Sequence, residues 1–264
     1  TITTKEPFMS IVNTLSLESN RQIKINFDGG DLSSDAGFLL IKEFVSKIGI
    51  DRLFSHSFKT NDSASFRYHT DKDNLLQMIY MIIAGYFEDD ASDELTNDPV
   101  FKAVLDKEAL ASQPTISRFH NLMDEDSLNQ FLSISRVLRK KIYSIQMPEA
   151  VILDLDSTLL DAYDSQEGRA FNFHYQSNGY HPLVCYDGTT GDLIIIQLRG
   201  GTQYSCTGVI DFLQPILDEY LADYPSINLL LRGDSGFATP ELCQAMRRKW
   251  NQLCHQTKRK QQSP

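Results

Sequence analysis

Residues 151–158 read VILDLDST, an apolar run that ends with carboxylates on alternate positions, and a second apolar run ends as LLLRGDSGF around residue 234. Side chains at i and i+2 of a strand share a face. Ile152, Asp154 and Asp156 therefore point one way and Val151, Leu153 and Leu155 the other. A lone Asp at a strand end caps it. Two acids among Val, Ile and Leu are costly unless a cation or hydrogen-bond donors meet them. Paired strand-end acids, with Asp234 as a third, are the equipment for metal-assisted phosphoryl chemistry. Two divalent ions about 4 Å apart can stabilise both the attacking and the leaving oxygen of an in-line displacement. Mg²⁺, or Mn²⁺ in its place, takes oxygen ligands and keeps several waters, so a few carboxylates suffice. Asp156 and Asp234, at the ends of the two apolar runs, are candidate ligands for such an ion. Asp154 is a further candidate, as a ligand or as an acid behind the ligands. Ser157, Thr158 and Ser235 read as turn and cap groups.

The elements around these residues follow from periodicity. YHPLVCYD and DLIIIQLR, joined by the Gly-rich DGTTGD, predict two antiparallel strands and a tight turn. Val209, Ile210, Leu213, Ile216, Leu217 and Tyr220 fall at helical spacing, with Ser205 or Thr207 as the expected cap, Pro215 as an expected bend and an end near Leu221. INLLLRGD predicts a buried strand, and Thr239-Pro240-Glu241 a helix start. The order is three antiparallel strands, helix, parallel strand, helix, a mixed α/β sheet in which the last strand should lie beside the first so that Asp156 and Asp234 meet.

VILDLDSTLLD resembles the first motif of haloacid-dehalogenase-type phosphatases, which would make Asp154 a nucleophile and Asp156 an acid/base. That family also requires a second acid soon after Gly-Asp, and GDSGFAT has none. The stretch from about 151 to 245 resembles the DDE domain of bacterial insertion-sequence transposases, group one. LDLDSTLLD, then SQEGRAFNFHYQSNGYHPLVCYDGTTGDLIIIQLRGG, then LLLRGDSGFATPEL match it in order and spacing, and ASQPTISRFHNLM matches the segment before it. The resemblance implies a ribonuclease-H-like fold and two-metal cleavage and strand transfer at insertion-sequence ends. It makes Asp156 the first and Asp234 the second catalytic acid. It implies DNA partners, terminal inverted repeats and target, and a homo-oligomer when full length. The non-enzymatic alternative is a DNA-binding remnant.

The resembled family places a third acid, usually Glu, on a later helix, and Glu241 comes too early for that role. AMRRKWNQLCHQTKRKQQSP turns polar and basic. With suitable codons, the frame one base later reads CEENGISYVIKLKENNSL, which resembles the family's continuation. The expectation is a frameshifted, C-terminally truncated and inactive copy, incomplete in its sheet, prone to expose apolar surface and to aggregate.

The first half is expected to be mostly helical: GFLLIKEFVSKIG, NLLQMIYMIIAGYF, PVFKAVLDK, QPTISRFHNLM and a helix with Leu128, Phe131, Leu132, Leu138 and Ile142. RQIKINFDGG predicts a strand, and SQPTISR a capped helix of the helix-turn-helix kind. The expected domains are 1–148, helical and a candidate for DNA binding; 149–249, the catalytic sheet; and 250–264, a disordered tail. In 264 residues, the net charge of −10 argues against a nonspecific DNA binder, because phosphate contacts need Lys and Arg. Acid clusters such as FEDDASDE can nonetheless occupy one face and basic residues another. Candidates for the DNA-facing surface are Arg118, Arg136, Arg139, Lys140 and Lys141. Four Cys residues without paired zinc or disulfide spacing suit a reducing cytoplasm, nucleoid-associated, and no apolar run is long enough to span a bilayer.

Overall fold

The computed structural model describes residues 14–26, 35–64, 66–250 and 253–256. It divides into two compact units, residues 1–137 and 138–264.

In the first unit, strands β1 (Thr14–Ser16) and β2 (Lys24–Asn26) pair antiparallel. They precede helices α1 (Phe38–Ile48), α2 (Ile50–Ser57), α3 (Asp71–Ala84), α4 (Ala91–Leu95), α5 (Pro99–Leu105) and α6 (Gln113–Asn121). The long α7 (Glu125–Ile145) crosses from this unit into the second. The sequence reading has no counterpart for α2 and α4. Gly49, at φ 71°, ends α1 and starts α2 within one residue, so a single glycine in the left-handed region turns the chain where one continuous helix was expected to stop. α3 starts at a capping box: Thr70 Oγ1 accepts from Asp73 N, while the Asp73 carboxylate accepts from Thr70 N. Buried Gln77 on α3 donates to Ala111 O and accepts from Ala111 N, both at 2.8 Å, which satisfies a polar group in an otherwise apolar interior.

The second unit is built on a five-stranded sheet in the order β10-β9-β3-β7-β8. β3 (Ala150–Ser157) is central. β7 (Leu183–Asp187) and β8 (Leu193–Gln197) run antiparallel to their neighbours, while β9 (Asn228–Gly233) runs parallel to β3. Val151, Leu153 and Leu155 are buried in one core with Leu183 and Cys185 of β7, Leu229 and Leu231 of β9, and Phe212, Leu213, Ile216 and Leu217 of α8 (Val209–Asp223). Leu242 and Met246 of α9 (Pro240–Trp250) complete it. Burial drives the Cys185 thiol pKa up to about 12, so it remains a protonated, inert apolar side chain.

Three expectations need correction. Neither Ser205 nor Thr207 caps α8; its N-cap is Gly208 at φ 71°, with no side-chain cap bond, because the helix starts at Val209, one residue after a glycine in the left-handed region, while Arg199 Nη1 donates to the Tyr204 and Thr207 carbonyls of the loop before it. The expected disordered tail contains a strand, β10 (Leu253–Gln256), parallel to β9. Its four residues are too short a run to stand out from the polar, basic composition around them, and the free edge of β9 supplies the pairing. The rest of the tail, at 251–252 and 257–264, lies outside the described residues.

The third correction lies between β3 and β7, where no strand was expected. β4 (Leu160–Asp161), β5 (Ala170–Asn172) and β6 (Ser177–Tyr180) form a separate antiparallel sheet in the order β4-β6-β5. Strands of two to four residues are below the length at which alternation is legible. Gly179 sits at the centre of this sheet, where an added Cβ would lie 2.1 Å from Leu160 O. Gly179→Ala is therefore expected to lower stability by about 1–3 kcal/mol through backbone displacement, read as a fall in melting temperature.

Candidate functional site

β3 and β9 bring the two principal acids into the same neighbourhood. Their parallel register sets Leu155 opposite Gly233, and Asp156 and Asp234 are the next residue on each strand line. Both side chains are exposed. Each has one carboxylate oxygen on a nearby backbone N–H: Asp156 Oδ1 accepts from Ser157 N at 2.7 Å, and Asp234 Oδ1 from Gly236 N at 2.8 Å. The second bond makes Asp234 the N-cap of a 3-10 turn, η1 (Ser235–Phe237). The other oxygen of each acid has no partner among the described residues. Hard oxygen donors of this kind fit Mg²⁺ with water completing its shell. No cluster of three or more His, Cys, Asp or Glu side chains suited to a metal occurs among the described residues.

Asp154 occupies a different environment. Arg232, directly across from it in the β3–β9 register, donates through Nε at 2.8 Å and Nη2 at 2.5 Å to its two oxygens. The carboxylate in turn holds the Arg232 guanidinium above its ordinary pKa. Both oxygens are thus committed to a planar bidentate partner. Of the two roles open to Asp154, this pairing is the one expected of an acid behind the metal ligands, and it engages both oxygens that the phosphatase reading would need as a nucleophile. β3 also leads into the β4–β6 sheet, whereas a phosphatase core would pass from strand to helix.

Ser157, expected as a turn group, is a buried junction. Its Oγ lies 2.8 Å from Pro182 O, 3.1 Å from His181 Nε2 and 3.1 Å from Arg199 Nη2. His181 Nδ1 lies 2.8 Å from Gln203 O, and Arg199 Nε donates to His181 O at 3.0 Å. Burial lowers the Arg199 pKa from its ordinary value. His181 and Arg199 carry no sequence signal as site residues, since each is a single polar residue next to an apolar strand. The junction fixes the residue that follows Asp156. Ser157→Ala is expected to cost about 1–3 kcal/mol, because it removes the partner of the Pro182 carbonyl, of Arg199 Nη2 and of His181 Nε2 at a buried position; chemical denaturation measures the loss.

A cavity of about 360 Å³ opens beside Asp234 and is lined also by Ser157 and His181. Its walls come from residues 172–175 at the end of β5 and from 201–205.

The candidate DNA-contacting cations have unequal positions. Arg118, Arg136, Lys140 and Lys141 are exposed. Arg139 is not available: its side chain is 11% exposed, Nη1 meets Glu219 Oε1 at 2.5 Å, and its guanidinium lies 5.8 Å from the Tyr220 ring centroid. The correction has a plain cause, since α7 turns that position toward α8, which supplies both partners.

Comparison with known proteins gives a family match over most of the chain. The profile of the transposase DDE domain, group 1, matches residues 15–255. A comparison with curated proteins finds no match. Among solved structures, the chain is similar to the piggyBac transposase in a synaptic complex with hairpin DNA, at 16% identity and a TM-score of 0.34, covering 87% of this chain and 52% of that one. It is also similar to the Mos1 transposase in a paired-end complex with the left transposon end, at 10% identity and a TM-score of 0.28, covering 86% and 68%. The chain thus spans about half the length of the piggyBac chain it matches. Among the described residues no helix is long and apolar enough to cross a membrane.

Proposed function

The chain belongs to the group 1 transposase DDE domain family, and from that membership we propose that it acts as a DDE transposase, cleaving and joining phosphodiesters at the ends of an insertion sequence, with Asp156 and Asp234 as its metal-holding acids. The observation that carries this reading is the parallel β3–β9 register, which sets these two acids at neighbouring strand ends. The fold is read as ribonuclease-H-like, with β3, β7 and β8 as the antiparallel trio, α8 as the crossover, and β9 and α9 after it.

Mg²⁺ or Mn²⁺ held there would stabilise the attacking and leaving oxygens. Asp156 and Asp234 each present an open carboxylate oxygen for it. Their other oxygens, held by Ser157 N and Gly236 N, keep the carboxylates oriented. The Ser157–His181–Arg199 junction holds the end of β3. Arg232 neutralises Asp154, which limits the negative charge beside the site. Exposed Arg118, Arg136, Lys140 and Lys141 are the proposed phosphate contacts, in a protein that works as a homo-oligomer in a bacterial cytoplasm.

The absence of a third metal-binding side chain near these acids, among the described residues, favours a second reading, a non-catalytic DNA-binding protein. Incubation of the purified chain with supercoiled plasmid separates the two. Nicking that requires Mg²⁺ or Mn²⁺ and stops in EDTA supports the transposase. Retention of DNA without nicking supports the second reading.

A further inference from the structure

The cavity beside Asp234 has a lining unlike that of a phosphate site. No Lys or Arg contributes to it, whereas Phe173, Tyr175 and Tyr204 do. Phe173 meets Phe171 edge-on at 5.2 Å and Tyr175 meets the His174 and His181 rings at 4.8 and 6.0 Å, yet the three rings stay 76%, 44% and 80% exposed, so a large aromatic area still faces solvent. Gln203 also lines the cavity. Its side-chain amide has no hydrogen-bond partner among the described residues, so it offers both a donor and an acceptor.

The walls are fixed in advance. Asn172 is buried, and its Nδ2 donates to Gly201 O at 2.8 Å while its Oδ1 accepts from His174 N at 2.9 Å and Tyr175 N at 3.1 Å. One side chain thus clasps the two segments that carry the rings. Gly201 is required at this join, since an added Cβ would lie 2.2 Å from Ala170 O. A preorganised slot with aromatic faces, an open amide and no fixed cation suits a planar, uncharged, hydrogen-bonding group. Its volume of about 360 Å³ leaves room for a single such ring system.

We propose that this cavity seats one unstacked nucleobase of the DNA strand whose backbone passes Asp234, an assignment that rests on the transposase reading above. Base–aromatic stacking is tolerant of sequence, and each stacked base adds roughly five- to hundredfold in affinity. The β4–β6 sheet is then the part of the fold that builds the seat.

The test is fluorescence anisotropy with the full chain in EDTA, using a labelled oligothymidine strand and the same strand with abasic sites in its centre. The wild type is expected to bind the thymidine strand at least about fivefold more tightly. Phe173→Ala combined with Tyr204→Ala should bind both strands alike, and Tyr204→Phe should keep the preference. Equal wild-type affinity for the two strands overturns the proposal. So does an unchanged preference in the double variant with a native melting curve. Should that variant fail to fold, photocrosslinking of an iodouracil-containing strand to the wild type decides: adducts on Phe173, Tyr175 or Tyr204 support the seat, and adducts confined to other residues remove it. Base preference without metal-dependent nicking would leave the seat standing while the transposase reading falls; nicking without base preference would do the reverse.

Discussion

Asp156→Asn and Asp234→Asn are each expected to reduce Mg²⁺-dependent plasmid nicking by more than about 100-fold, with little change in melting temperature. The size follows from the role. Losing a group that merely orients a metal ligand costs 10- to 100-fold, and losing a ligand's own charge costs more. Stability should hold because both acids are exposed and make only one local backbone bond each. Asp154→Asn is the informative control. It breaks a half-exposed pair with Arg232, worth at most about 1 kcal/mol, and should leave nicking within severalfold of wild type. If Asp154→Asn abolished activity while Asp156→Asn retained it, the assignment of roles along β3 would be wrong. Trapping of a phosphoaspartate on Asp154 would restore the phosphatase reading.

The second large effect concerns stability. Glu219→Ala should cost about 3–5 kcal/mol, because Arg139 is left charged in a site where its side chain is 11% exposed. That corresponds to a fall in melting temperature on the order of 10 °C. Replacing both partners, Arg139→Met with Glu219→Leu, should recover most of the loss, since apolar packing can substitute for a buried pair. DNA binding by the double variant should match wild type. A specific loss of DNA affinity at unchanged stability in Arg139→Ala would instead place Arg139 on the DNA-facing surface.

Those two experiments fall on either side of what one-dimensional information can carry. The alternation Val151, Leu153, Leu155 against Ile152, Asp154, Asp156 contains its own answer, because side chains on a strand alternate whatever surrounds it. The same holds for the apolar run before Asp234, for the hairpin closed by DGTTGD, and for the α9 start, where Thr239 Oγ1 accepts from Leu242 N at 3.2 Å. These are local rules, satisfied within a few residues, and they place two carboxylates at strand ends.

What each polar group meets across the fold is decided elsewhere. Asp154 and Asp156 are indistinguishable by pattern, yet Arg232, 78 residues away in sequence, takes up Asp154 and leaves Asp156 open. Arg139 sits among basic neighbours, and Glu219, 80 residues on, removes it from the surface. The β4–β6 sheet and the cavity it walls rest on strands too short to show a period. The sequence by itself determined the principal strands, their buried faces and the family. Only the tertiary structure decided which acids stay free, which cations stay exposed and where a cavity opens, because charge pairing and cavity walls depend on distances between segments that the local backbone rules do not specify.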